Sequence, residues 1–120
     1  MALKKMFHRL TASVDELDTE DLKEFCSRFP QATPIAEINP REPVIAVGEI
    51  TSLRIVPRKD KTRWLEASIS DGTGTLVAMW TGRRRIAGVK PGQRLLVQGR
   101  CSPTGPGGRM MMYNPIYELL

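Results

Sequence analysis

The feature that most constrains the fold is a turn, Asp71-Gly72-Thr73-Gly74, set between two apolar runs. Its two glycines let the backbone reverse direction without steric cost. Apolar side chains recur at every second position on both sides of the turn, at Leu65, Ala67 and Ile69 before it and at Leu76, Ala78 and Trp80 after it. This alternation predicts a β-hairpin. Because a lone hairpin is not stable in water, the rest of the chain must supply strands that pair with it.

Three further strands are predicted around the hairpin strands, which run over about 62–70 and 75–81. They cover residues 44–58, 94–101 and 109–117. In the first strand the apolar alternation changes phase near Thr51-Ser52, which predicts a β-bulge, and Gly48 permits a bend. The stretch 82–89 is predicted to hold a short helical turn.

This order of elements favours one fold class. Five strands, with a long bent first strand and a helical connection before the fourth, indicate a mainly β chain with a five-stranded OB-fold Greek-key barrel. Within it, Leu95, Val97, Met110 and Met112 are expected to point inward. An SH3-like barrel is the alternative, although it rarely has so long and bent a first strand.

The N-terminal third predicts an α-helix over residues 13–29, ended by Pro30. An apolar stripe lies along it at helical spacing, formed by Leu22, Phe25, Cys26 and Phe29. The stripe either packs against the barrel or docks a partner protein. Residues 30–43 read as a linker that Ile35 and Ile38 attach to the core. The expected organisation is therefore an arm, helix and linker over 1–42, packed on a barrel over 43–120.

Charge is distributed unevenly along the chain. The whole sequence has 18 Lys and Arg against 13 Asp and Glu, a formal net charge of +5. Residues 1–42 hold 6 basic and 8 acidic side chains, whereas residues 43–120 hold 12 and 5. A basic barrel indicates a polyanionic partner, with nucleic acid the first candidate. The alternative is a basic surface that only keeps the protein soluble.

Several other classes of function are not expected. The two cysteines, Cys26 and Cys101, form no Cys-x-x-Cys pair, and His8 is the single histidine, so neither a zinc site nor another cofactor is predicted. The sequence has no apolar run of about 18 residues and no signal peptide, which predicts a cytoplasmic protein without a membrane partner.

Catalysis is not expected either. General acid–base chemistry needs paired carboxylates or a histidine in a pocket. Glu49, Glu66 and Asp71 are scattered along the sequence, and Asp71 already has a role in the turn. We therefore expect a binding protein rather than an enzyme.

The candidate binding residues are basic and aromatic side chains around the face of the two hairpin strands, where OB barrels usually bind nucleic-acid strands. The basic ones are Arg54, Arg58, Lys59, Lys61, Arg63, Arg83, Arg84, Arg85, Arg100 and Arg109. These would contact phosphates without reading sequence. By alternation Trp64 and Tyr113 point outward and are candidates for base stacking, whereas Trp80 points into the core. Val77 and Met79 also point outward, as a stacking floor or as the place where the helix docks.

An ordered series of short motifs resembles the wedge domain of RecG-type branch-migration DNA helicases. The motifs are Val47–Ile50, Ser70–Gly74, Trp80, Val89–Gly92, Leu95 with Val97 and Gly99, and Asn114-Pro115 with Tyr117-Glu118. With the lead-in Arg28-Phe29-Pro30, the resemblance covers about residues 28–120. The whole chain, with Leu-Thr-Ala-Ser at 10–13 and Gly-Arg-Arg-Arg-Ile-Ala-Gly at 82–88, also looks like small stand-alone OB-fold nucleic-acid-binding proteins of actinobacteria.

The resemblance implies contact with single strands or a branch point, and no motor activity. A helicase needs a Gly-x-x-x-x-Gly-Lys-Ser/Thr phosphate loop, which this sequence lacks. The predicted function is non-catalytic binding of single-stranded or branched nucleic acid, with DNA favoured and RNA left open. The alternative is a protein-interaction or regulatory OB module, with a protein partner or self-association through the N-terminal helix.

Overall fold

The computed structural model describes residues 14–103 and 106–120, so the predicted arm before residue 14 lies outside the described residues. In chain order the elements are α1 (Val14–Cys26), a 3-10 turn (Ile35–Glu37), β1 (Pro43–Pro57), β2 (Arg63–Ser70), β3 (Thr75–Trp80), β4 (Arg94–Ser102), β5 (Met110–Tyr113) and β6 (Ile116–Leu119). Within the described part of the chain, no helix is both long enough and apolar enough to span a membrane.

The strands β1, β2, β3, β5 and β4 close into a barrel in that order, with β4 pairing back to β1. All of these pairs are antiparallel except β3 with β5. Strand β1 can close the barrel because it is long: its first half pairs with β4 and its second half with β2. The predicted five-stranded OB-fold barrel is confirmed.

The bend in β1 lies where the sequence predicts it. The register of β1 against β2 shifts between Ile50 and Ser52, which is the bulge expected from the phase change. Two residues earlier, a Cβ atom on Gly48 would lie 2.6 Å from the carbonyl oxygen of Ser70. The two backbones approach there so closely that only glycine fits.

One apolar core fills the barrel. It contains the inward residues of both hairpin strands together with Leu95, Val97 and Met112, all of them buried, and Met110 packs against it partly buried. Ile35 and Ile38 of the linker join the same core, as do Ile86 and Val89 from the segment between β3 and β4. Ile35 and Ile38 attach the linker to the barrel.

Two predictions of secondary structure, for residues 82–89 and 109–117, are wrong. Residues 82–89 form turns rather than a helical turn, because Gly82 and Gly88 take positive φ values of 73° and 79°. The predicted strand 109–117 is interrupted, because Asn114 adopts a left-handed φ of 47°. As a result β5 pairs with β3 and the end of β4, whereas β6 pairs with β4.

Helix α1 packs on the barrel next to the first half of β1. Leu22 is buried, and the Cys26 thiol donates to the carbonyl of Val47 at 3.4 Å. The Arg94 guanidinium lies 4.5 Å from the centre of the Phe25 ring. The helix ends at Cys26 rather than at Phe29, since the backbone N–H groups of Arg28 and Phe29 bond three residues back instead of four.

Candidate nucleic-acid interface

We define the outer wall as the outward side chains of β2, β3, β5 and the second half of β1. Cross-strand pairing sets Val56 beside Trp64, and sets Met79 beside both Glu66 and Tyr113. Val77, Met79 and Met111 form an apolar cluster here, separate from the barrel core, and all three are buried. The wall is thus closed at its centre, so the predicted stacking floor of Val77 and Met79 is not accessible, and α1 packs elsewhere.

Trp64 points outward, as its place in the alternation predicts, but its ring already contacts other side chains of the protein. The Arg58 guanidinium lies over the ring, 4.0 Å from its centre. The ring also packs against the apolar cluster of the wall, and the Tyr113 ring lies nearly perpendicular to it, 6.2 Å away between centres. Trp64 therefore does not offer the free ring that the sequence suggested, whereas the neighbouring Tyr113 is exposed.

The β1–β2 connection forms a basic hairpin tip, residues 57–63, beside Trp64. The backbone N–H of Arg58 donates to the Thr62 carbonyl, and that of Lys61 to the Arg58 carbonyl, both at 3.0 Å. Asp60 Oδ1 accepts from the Thr62 hydroxyl at 2.6 Å and from its backbone N–H at 3.0 Å. These two bonds hold the pKa of the Asp60 carboxyl below its usual range.

The tip presents positive charge to solvent around a concavity. Its side chains include four cations and one carboxylate, and all five are exposed: Arg58, Lys59, Lys61 and Arg63 with Asp60. An open concavity of about 520 Å³ lies between the tip and the Trp64 ring. Arg58 and Lys59 line it, so a phosphate group of a polyanion would meet two cations at once here.

The outer wall holds a buried carboxylate, Glu66, whose burial and ion pair the sequence did not predict. Glu66 is almost fully buried, and its Oε2 atom accepts from Arg54 Nη2 at 3.0 Å. Arg54 itself remains 63% exposed. The charge of Arg54, one of the predicted phosphate contacts, is thus partly compensated. The pair lies 12 residues apart in sequence, and only the β1–β2 register brings it together.

Three further cations lie at the same end of the barrel as the tip. Arg83, Arg84 and Arg85 are exposed and follow β3 directly. Because Leu65 pairs with Trp80, the end of β3 adjoins the start of β2 and hence the tip. The end of β5 is fixed there too, since Asn114 Oδ1 accepts from the Thr81 backbone N–H at 3.0 Å.

The last two predicted cations are placed differently. Arg100 donates through Nη1 to the Arg41 carbonyl at 2.8 Å, which directs it toward the start of β1. Arg109 precedes Met110, whose partner is Leu76, and so lies at the opposite end of β5 from Tyr113. The structure therefore brings the tip, the arginines after β3 and the two aromatic residues together, and leaves Arg109 apart.

At the other end of β2 from the tip, the Asp71 carboxylate is held by hydrogen bonds within the protein. Asp71 is buried, and its carboxylate accepts from the backbone N–H groups of Ile35, Thr73 and Gly74 at 2.8–3.2 Å. Burial raises the pKa of the Cys26 thiol, with Asp71 adding to the effect and Arg94 opposing it. Across the described residues, no three His, Cys, Asp or Glu side chains group as metal ligands would.

Solved structures similar to this chain include two of known context. The structure of RecG bound to a three-way DNA junction matches with a TM-score of 0.58 and 19% identity, over 74% of this chain and 12% of that chain. The solution structure of the replication factor A related protein from Methanobacterium thermoautotrophicum matches with a TM-score of 0.55 and 17% identity, over 76% of this chain and 92% of that one.

The chain thus spans only about an eighth of the length of RecG, although it covers nearly all of the replication factor A related protein. No protein-family model and no curated protein matches the sequence. At these identities the likeness establishes the OB fold alone.

Proposed function

We propose that the protein binds nucleic acid in single-stranded or branched form, DNA first, without catalysing a reaction. The observation that carries the proposal is the convergence of the basic hairpin tip, Arg83–Arg85, Trp64 and Tyr113 at one end of an OB barrel. Basic side chains that contact phosphates rather than base edges bind nucleic acid whatever its base sequence, and aromatic rings add base stacking.

The comparisons support this ligand class. One similar structure is described as bound to a three-way DNA junction, and the other as related to a replication factor. The narrower resemblance to actinobacterial stand-alone proteins, and the cytoplasmic location, stay predictions from the sequence.

Binding without catalysis is supported by what the buried carboxylates do. Asp71 holds the β2–β3 turn through hydrogen bonds to three backbone N–H groups, and Glu66 is paired with Arg54. Both carboxylates thus hold the fold of the barrel, a role other than acid–base catalysis.

The protein-interaction alternative rests on the helix stripe, and the stripe is largely occupied within the chain. Leu22 is buried and Arg94 lies over Phe25. The rings of Phe25 and Phe29 contact each other at 5.4 Å. In the described part of α1, these contacts favour packing on the barrel over docking of a partner.

Fluorescence anisotropy tests the proposal. Labelled single-stranded, blunt duplex and forked DNA of equal length, and the same single strand as RNA, are titrated at about 50 and 200 mM salt. We expect tighter binding to the single strand or fork than to the duplex, with an affinity that falls steeply as salt rises. No binding at low salt, or an affinity indifferent to salt, contradicts the proposal.

A further inference from the structure

On the basis of the function proposed above, we propose that Tyr113 stacks on an unpaired nucleobase. In the same proposal Trp64 acts as a positioning residue that holds the Arg58 guanidinium for a phosphate. The sequence alone favours Trp64 as the stacking residue, because it lies at the start of β2, on the face that OB barrels commonly use.

The centre of the outer wall cannot receive a base. The exposed fractions of Val77, Met79, Met111 and Glu66 are 0%, 4%, 5% and 6%. A base placed over these residues would also approach a buried carboxylate. Tyr113 is 47% exposed and lies at the edge of this closed area. Base stacking requires an open ring face, and of the two outer-wall aromatic residues Tyr113 has the larger exposed fraction, since Trp64 is half-buried.

Trp64 is better placed to hold Arg58 than to hold a base. The guanidinium sits 4.0 Å from the ring centre, at cation–π distance. A guanidinium held over a ring still carries five N–H donors, which match the oxygens of a phosphate. A base that stacked on the covered face of Trp64 would first have to displace Arg58.

The backbone beyond Tyr113 fixes the position of the stacking residue. The Asn114 backbone N–H donates to the Met79 carbonyl at 2.7 Å, and its side-chain oxygen accepts from the Thr81 backbone N–H. An exposed ring on a fixed backbone loses little freedom when a ligand binds. A base within a duplex has both faces covered by its neighbours, so the surface selects unpaired bases.

The test compares two oligomers that carry the same phosphates. A labelled thymidine strand of about 12 nucleotides, within the span of one OB barrel, is titrated beside an abasic strand of equal length. We expect the wild-type protein to prefer the thymidine strand by about 5- to 150-fold. Tyr113→Ala should lose most of that preference, and Tyr113→Phe should keep it.

The variants of the Trp64–Arg58 pair should behave differently. Trp64→Leu and Arg58→Gln should weaken binding to both strands by the same factor and leave the preference for thymidine intact. Arg58→Gln lies on the exposed tip, so it serves if Trp64→Leu fails to fold. Circular dichroism and thermal unfolding confirm the fold of each variant.

The outcomes separate the two proposals. If the wild-type protein binds neither strand, the function proposed above fails. If it binds both strands equally, nucleic-acid binding stands and base stacking is overturned. If Tyr113→Ala keeps the preference, or if Trp64→Leu abolishes it in a folded protein, the assignment of stacking to Tyr113 is wrong.

Discussion

Two Asp-x-Thr turns join neighbouring strands of the barrel, one between β1 and β2 and one between β2 and β3. In both, Oδ1 of the aspartate accepts from the hydroxyl and the backbone N–H of the threonine two residues on. The distances are 2.6 and 3.0 Å for Asp60 with Thr62, and 2.6 and 2.8 Å for Asp71 with Thr73. Locally the two turns are the same device.

Their surroundings make them different in role. The second oxygen of Asp71 accepts from the Ile35 backbone N–H at 2.9 Å, and the Thr73 hydroxyl accepts from Ala36 at 3.2 Å, so this turn ties the linker to the barrel. The Asp60 turn is exposed and surrounded by cations. The same short motif therefore stabilises the fold at Asp71, where backbone N–H groups of the linker donate to it. At Asp60 it shapes an exposed turn that carries basic side chains.

The largest expected effect separates the turns by stability. Asp71→Ala leaves buried backbone N–H groups without an acceptor, and we expect a loss of about 3 kcal/mol in the free energy of unfolding. That corresponds to a fall of roughly 10 °C in Tm. Urea unfolding measures the loss, with the slope m checked for constancy.

Asp60→Ala is the matched control, since it removes the same local bonds from an exposed turn. We expect a much smaller loss of stability than for Asp71→Ala. Equal losses in the two variants would mean that the local Asp-x-Thr bonds, rather than the bonds to the linker, stabilise the Asp71 turn.

Much of the barrel could be predicted from the sequence, because alternation with a period of two decides which side chains face the core. It placed Leu65, Ala67 and Ile69 inward, and its change of phase located the bulge before Ser52. The kink at Asn114 could not be predicted in this way. Its positive φ is held by bonds to Met79 and Thr81 on another strand, which a local pattern does not contain.

For the candidate site, the alternation of side chains predicted which residues point outward, but it did not predict how exposed they are. Trp64 and Met79 do lie on the outer wall, yet Trp64 is covered by Arg58 and Met79 is buried beneath neighbouring side chains. The Arg54–Glu66 pair depends on the cross-strand register of β1 and β2. Such contacts follow from how strands are aligned, which composition and spacing do not specify.

Neutralising two cations of the exposed turn between β1 and β2 should weaken nucleic-acid binding and change the free energy of unfolding little. For Arg58→Gln with Lys61→Gln we expect an affinity loss on the order of tenfold at low salt. The slope of log affinity against log salt should fall by about 1.4 for a single strand, because two phosphate contacts are lost. Anisotropy at several salt concentrations measures both quantities.

Arg28→Gln with Lys90→Gln is the matched control, because it removes the same charge from exposed positions away from the tip. We expect a smaller change in the slope for this pair. If both double variants lose affinity equally, net charge alone governs binding and the tip has no special part.

Glu66 shares a feature with each turn: it is buried like Asp71, but lies on the outer wall beside the basic tip. Glu66→Gln keeps an oxygen that accepts from Arg54 and removes the opposing charge. We expect roughly threefold tighter binding to a single strand, since Arg54 gains an uncompensated charge near phosphates. Unchanged or weaker binding in a folded variant would show that Arg54 does not reach the ligand.

The smallest effect is the pH dependence of the exposed turn. The Thr62 hydroxyl and backbone N–H bond the ionised form of Asp60 and lower its pKa in the folded state. Their contribution to stability is present above the unfolded pKa of about 3.9, and it is lost as pH falls through the lower folded value. The stability advantage of wild type over Asp60→Asn should therefore shrink as pH falls from about 5 to about 3. Urea unfolding across this range measures the difference, and an advantage that stays constant down to pH 3 would mean that the carboxylate charge does not strengthen the turn.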